Sequence, residues 1–166
     1  MPADVPPYVF GGWLLEATDA ERATLQRNAV KVLADLHAID VTGEDAAFLH
    51  RPQFGASGLD QHLAYQRFYY DWARDGVDYP IIERAFAYLE ANRPAHERTV
   101  LNWGDSRISN MMYRDFTPIA VLDWEMACLG PPEADVAWFV FMNEFLTNAI
   151  GLPGIAGFPN LAETVA

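Results

Sequence analysis

Cysteine and lysine are almost absent, with Cys128 and Lys31 the only ones in 166 residues. A single thiol excludes an internal disulfide, and between Ala127 and Leu129 it reads as a small buried side chain rather than a nucleophile. Basic residues are scarce throughout, 11 against 23 acidic ones, for a net charge of −12. Such a chain repels nucleic-acid phosphates and an anionic membrane surface, so neither is expected as a partner. No apolar run is long enough to span a bilayer, and residues 1–7 have neither the basic head nor the apolar core of a signal peptide. A cytoplasmic location is the expectation.

What is plentiful is apolar material: 51% of residues are hydrophobic and 13% aromatic, enough to offset the entropy of ordering a single domain. Residues 1–15 mix prolines and Gly11-Gly12 with Tyr8, Phe10 and Trp13, an irregular segment pinned by aromatics. Thr18 and Glu21 have capping-box spacing, and Leu25, Ala29, Val32, Leu33 and Leu36 recur at helical intervals. A helix over 19–38 is predicted, with His37 a structural residue at its end. Residues 41–58 lack periodicity and read as a loop with one helical turn. The aromatic stretch 59–73 reads as a helix packing Tyr65, Phe68, Tyr69, Tyr70 and Trp72 into a core, with Asp71, Asp75 and Asp78 either forming a solvated face or helping to bind a cationic substrate. Pro80 opens a third helix, 81–91, with Ile82, Ala85, Phe86 and Leu89 inward. Short strands are predicted at 100–103, 111–113 and 119–122, and a helix at 133–148, apolar through Val136, Trp138, Phe139, Val140 and Phe141. Residues 151–159 read as a loop, whose prolines argue against a phosphate cradle. The expected class is α+β, mainly helical, with a short β-hairpin.

The chemistry concentrates where two strands each end on an aspartate. Asp105 is followed by Asn110 at D-x4-N spacing, and Asp123 closes the third strand. In the protein-kinase template an aspartate takes the proton of the attacking hydroxyl, and an asparagine and a second aspartate hold Mg²⁺ on the nucleotide phosphates. Asp105 is then the base, with Asn110 and Asp123 the metal ligands, oxygen donors that suit a hard cation. Arg107 is the one cation of the loop, and either steadies phosphate charge or pairs with a nearby acid.

Three stretches resemble the aminoglycoside-phosphotransferase-like family of small-molecule kinases: Asn102-Trp103-Gly104-Asp105 through Asn110, Leu122-Asp123-Trp124-Glu125, and Gly130-Pro131-Pro132-Glu133-Ala134-Asp135-Val136-Ala137. The family pattern has a histidine where Trp103 stands and an aspartate where Pro131 stands, departures that belong to a branch of broad or unknown acceptor range. The resemblance implies a protein-kinase-like C-terminal lobe whose hairpin carries the catalytic and metal-binding loops. It also implies ATP and Mg²⁺ as cofactors, a small-molecule hydroxyl as acceptor, and Asp135 as a residue that braces the catalytic loop. A kinase further needs a glycine-rich lid and a strand lysine. Lys31 sits inside the first helix and no such lid precedes Asp105, so residues 1–166 are expected to be a partial domain. The nucleotide-binding lobe would then lie on another chain, or a second copy of this one would cover the apolar surface left open. The alternatives are a non-catalytic binding module derived from such a kinase, and a metal-dependent hydrolase, which the lack of a histidine beside Asp105 and Asp123 weakens.

Overall fold

The computed structural model describes residues 8–148, 151–152, 154–159 and 162–163. Among the described residues five α-helices surround two pairs of short antiparallel strands. The helices are α1 (Trp13–Glu16), α2 (Asp19–Leu36), α3 (Gly58–Ala73), α4 (Pro80–Ala91) and α5 (Pro132–Asn148). The strands are β1 (Val100–Asn102), β2 (Met111–Arg114), β3 (Thr117–Val121) and β4 (Cys128–Gly130). The irregular segment predicted at the start is described only from Tyr8 onward, and residues 1–7 and Pro153 lie outside the described residues.

The two long N-terminal helices start as their sequences suggest. The Thr18 hydroxyl accepts the Glu21 N–H while the Glu21 carboxylate accepts the Thr18 N–H at 2.8 Å, and Ser57 and Asp60 repeat the arrangement at α3. Each box pairs amides that a helix start leaves without partners. The α2 stripe then buries Leu25, Ala29 and Leu33 in one core with Tyr8, Val9, Leu14, Trp103, Ile108, Met111 and Phe139. Tyr8 is pinned from its far end, where its hydroxyl donates to Asn143 Oδ1 on α5 at 3.1 Å.

The β2–β3 hairpin turns through Asp115 and Phe116, both at positive φ (48° and 59°), the pairing that lets a two-residue turn follow the strand twist. The turn is tighter than the predicted 114–118, so β3 begins at Thr117, and a register shift between Met112 and Tyr113 brings Tyr113 opposite Pro118. Strand β4 is an element that the sequence reading lacks. Three residues are too few to show a period, and Cys128 to Gly130 become a strand only by pairing with β1, Asn102 opposite Cys128 and Val100 opposite Gly130.

Several inward assignments need correction. On α3 only Tyr70 of the five aromatics is buried, and Phe68, Tyr69 and Trp72 are exposed. On α4 no residue is buried: Ile82 and Phe86 are half-covered, while Ala85 and Leu89 face outward. In the apolar run of α5, Phe139 and Val140 are buried while Val136 and Phe141 are exposed. The helical period fixes which residues share a face, but not whether a neighbour covers that face. Residues 41–58 contain two 3₁₀ stretches, Glu44–Leu49 and Pro52–Phe54, rather than one helical turn.

The capping box at α2 gives a direct test. Thr18→Ala removes the side-chain acceptor and should lower stability by about 1 kcal/mol in urea denaturation, with an unchanged m-value.

Candidate active site

The loop between β1 and β2 is held from beneath by one carboxylate. Asp135 lies in the first turn of α5 and is 1% exposed. Its Oδ2 accepts the Trp103 N–H at 2.8 Å and faces His37 Nε2 at 3.0 Å, while its Oδ1 accepts the Gly104 N–H at 2.8 Å. The carboxylate only accepts, so the His37 proton sits on Nε2. The Ser106 hydroxyl donates to the Asp135 carbonyl at 2.7 Å. Gly104 is required twice over: its φ of 90° disfavours side chains, and an added Cβ would overlap the Met126 carbonyl.

Above this brace Asp105 receives three side-chain donors. Its Oδ2 accepts Arg107 Nε at 2.9 Å and Asn110 Nδ2 at 2.8 Å, and its Oδ1 accepts the Trp138 indole N–H at 2.8 Å. Asn110 Nδ2 also reaches the Asp105 carbonyl at 3.2 Å. The Asn110 amide thus commits its nitrogen to Asp105, while its Oδ1 takes no hydrogen bond from the described residues.

Asp123 reaches the same place by backbone rather than side-chain contact. The Leu122 N–H donates to the Asn110 carbonyl at 2.9 Å, and the Trp103 indole N–H is shared between the carbonyls of Leu122 (2.9 Å) and Asp123 (3.1 Å). Asp123 itself adopts φ 61°, uncommon for a residue with a side chain, and its exposed carboxylate takes no hydrogen bond or ion pair from the described residues. The structure therefore joins Asp105, Asn110 and Arg107 directly, places Asp123 beside them through Trp103 and Leu122, and sets Asp135 underneath.

Two oxygen donors, Asn110 Oδ1 and the Asp123 carboxylate, suit a small hard cation that keeps water and phosphate in its remaining positions. No group of three or more histidine, cysteine, aspartate or glutamate side chains is arranged as a metal site among the described residues. The set fits an ion completed by a phosphorylated ligand better than a protein-only cage.

Trp138 and His37 are the site residues that sequence reasoning missed. Trp138 lies in the apolar run of its helix, and His37 was assigned to a helix end. A single polar atom on each decides its role, and neither hydropathy nor spacing registers which way that atom faces.

One cleft of about 750 Å³ lies between α2 and α5 and another of about 420 Å³ between α3 and β4, and neither is lined by Asp105, Asn110 or Asp123. Met126, whose carbonyl an added Cβ on Gly104 would meet, stands on the wall of the second. Inside it Cys128 Sγ stands 3.5 Å from His62 Nδ1. Burial pushes the Cys128 thiol up to about 11, and burial also lowers the His62 imidazole below its ordinary value, against the pull of Asp135. Cys128 is buried, as its sequence neighbours suggested.

Residues 2–158 match the model of the phosphotransferase enzyme family. The chain is 41% identical over 61 residues to acyl-CoA dehydrogenase family member 10 of Mus musculus, covering 36% of this chain and 6% of that protein. It is 30% identical over 156 residues to acyl-CoA dehydrogenase family member 11 of Gallus gallus, covering 90% of this chain and 19% of that protein. Among solved structures, a candidate aminoglycoside phosphotransferase from Ralstonia eutropha superposes with a TM-score of 0.65 at 23% identity, over 89% of this chain and 46% of that one. Macrolide 2′-phosphotransferase MphH from Brachybacterium faecium superposes with a TM-score of 0.50 at 24% identity, over 85% and 51%. At those identities the likeness is one of fold. The chain spans about half the length of these two structures and a small part of the two relatives.

Two measurements probe this site. Asp135→Ala leaves two backbone N–H groups and a buried histidine without their acceptor and should cost about 3–5 kcal/mol in urea denaturation. His62 has its folded pKa below the unfolded value of 6.5, so the unfolded chain binds the extra proton and stability falls as pH drops below about 6.5. His62→Gln should flatten that acid limb in a series of melts from pH 7.5 to pH 5.

Proposed function

Since the chain belongs to the phosphotransferase enzyme family, whose model it matches over residues 2–158, we propose that it supplies the acceptor and metal side of an ATP- and Mg²⁺-dependent transfer to a small-molecule hydroxyl. The observation that carries this reading is the joint placement of Asp105, Asn110 and Asp123. One amide ties Asn110 to Asp105, and one indole ties the Asp105 loop to the Asp123 backbone. The fold alone would support a phosphotransferase ancestry. These contacts support an intact site.

In this reading Asp105 receives the acceptor hydroxyl and takes its proton as the oxygen attacks the γ-phosphorus. Arg107, Asn110 and Trp138 fix its carboxylate, so the oxygen that faces the acceptor is set before substrate arrives. Asn110 Oδ1 and Asp123 would hold Mg²⁺, which would supply positive charge against the nucleotide phosphates. Asp135 touches no substrate and keeps the loop in place.

We assign closure over the nucleotide to a lobe outside this chain, on another chain or elsewhere in a longer product. The only lysine supports this assignment, because Lys31 is exposed on α2 and paired with Asp35 at 2.6 Å, away from the strand position that grips phosphate. The same placement favours one second reading, a binding module that keeps the acceptor site without turnover. ATP consumption separates the two.

The test is a phosphoryl-transfer assay on this chain joined to a matching nucleotide-binding lobe, with ATP, Mg²⁺ and a panel of hydroxyl compounds. Asp123→Asn should abolish transfer, and Asp105→Asn should lower kcat by roughly 10²–10⁴-fold with little change in KM for ATP. Unchanged turnover in Asp123→Asn would overturn the reading.

A further inference from the structure

The cleft between α3 and β4 has a chemistry that phosphoryl transfer does not require. Leu49, Tyr65, Tyr69, Met126 and Leu129 give it apolar and aromatic walls. One cation stands on it. The Arg51 N–H donates to Gln61 Oε1 at 2.9 Å, and the Gln61 amide is fixed in turn on the Gly55 carbonyl at 3.1 Å. The Arg51 guanidinium carbon lies 3.9 Å from the centre of the Tyr65 ring, so one face is stacked and the segment that carries it is anchored.

Arg27, Arg51, Arg84, Arg98 and Arg114 make no ion pair with a carboxylate among the described residues, and of these five only Arg51 is not exposed. Arg22, Arg67, Arg74, Arg93 and Arg107 each pair with a carboxylate. Arg51 is half-buried and pairs with none among the described residues, and Glu125, the only carboxylate lining the cleft, is exposed and makes no ion pair with it. A stacked, pre-ordered guanidinium keeps its N–H edge for a planar anion, which a carboxylate matches in two parallel hydrogen bonds. Arg51 also helps burial keep His62 neutral, so no second cation competes for that anion in the cleft.

Resting on the phosphotransferase reading above, we propose that this cleft seats the acceptor, a hydroxyl compound with a flat apolar body and a single carboxylate bound by Arg51. The location suits that role, since Met126 on the cleft wall meets Gly104, the neighbour of Asp105. A cavity of about 420 Å³ is within the range that encloses a small molecule. A polycationic amino sugar is disfavoured, because several carboxylates would have to face it and the cleft offers Glu125 alone.

Calorimetric titration of the full chain with 3-phenyllactate, with its neutral amide and with kanamycin tests the assignment. The acid should bind at least about tenfold tighter than the amide. Arg51→Gln should erase that preference while Arg51→Lys keeps part of it, with circular dichroism confirming that both variants fold. An amide that binds as well as the acid, kanamycin binding tighter than either, or no heat from phenyllactate at millimolar concentration overturns the proposal. The transfer assay separates the two levels of inference. Arg51-dependent binding without any transfer removes the phosphotransferase reading and leaves the subsite, whereas transfer to phenyllactate undisturbed by Arg51→Gln removes the subsite and leaves the phosphotransferase.

Discussion

A single buried carboxylate, Asp135, is the constraint on which the other contacts depend. At 1% exposure its two oxygens are satisfied by the backbone N–H groups of Trp103 and Gly104 and by the His37 ring, which all point at it. Those partners come from different parts of the chain. His37 caps α2, Trp103 and Gly104 leave β1, and Asp135 begins α5. Satisfying one charge therefore fixes the relative position of two helices and a strand exit. The catalytic-loop candidate inherits that position without touching Asp135 through its own carboxylate.

A second tier of contacts uses indoles where polar side chains might be expected. Trp103 is fully buried, yet its N–H reaches the carbonyls of Leu122 and Asp123 and so couples the β1 exit to the β3 exit. Its ring packs against Trp124 at 6.2 Å between centroids, and Trp124 donates to the Val121 carbonyl at 3.1 Å. Trp138 does the same for Asp105. A large apolar body with one N–H can fill core volume and place one hydrogen bond at once. Position 103 is where the resembling family carries histidine, and the indole makes a bond across the two loops from that position.

The outer helices behave differently. The α4 helix buries nothing, and Ile81, Tyr88 and Leu89 stand exposed along it, with Phe68, Tyr69 and Trp72 exposed on α3. The contacts that do hold this pair are largely ionic and aromatic: Arg67 on α3 pairs with Glu83 on α4, and Tyr70 packs on Phe86 with its hydroxyl accepting the Tyr79 N–H at 3.1 Å. Half-exposed ion pairs contribute little each, about 0–1 kcal/mol. The pair is therefore held less firmly than the α2, β1 and α5 core that carries Asp105.

By itself the sequence determined what depends on neighbours along the chain. The capping box at Thr18, the α2 stripe, the hairpin and the D-x4-N spacing were legible because each is set by local hydrogen bonding or by a periodicity of a few residues. The mainly helical α+β class and the family resemblance followed from the same local patterns. Tertiary structure decided the rest. Strand β4 exists only against β1, the outward faces of α3 and α4 depend on what fails to cover them, and Trp138, His37 and Arg51 owe their places to partners distant in the chain. Each of those outcomes turns on the direction of one bond or one face in space, and a linear pattern of residue types carries no such direction.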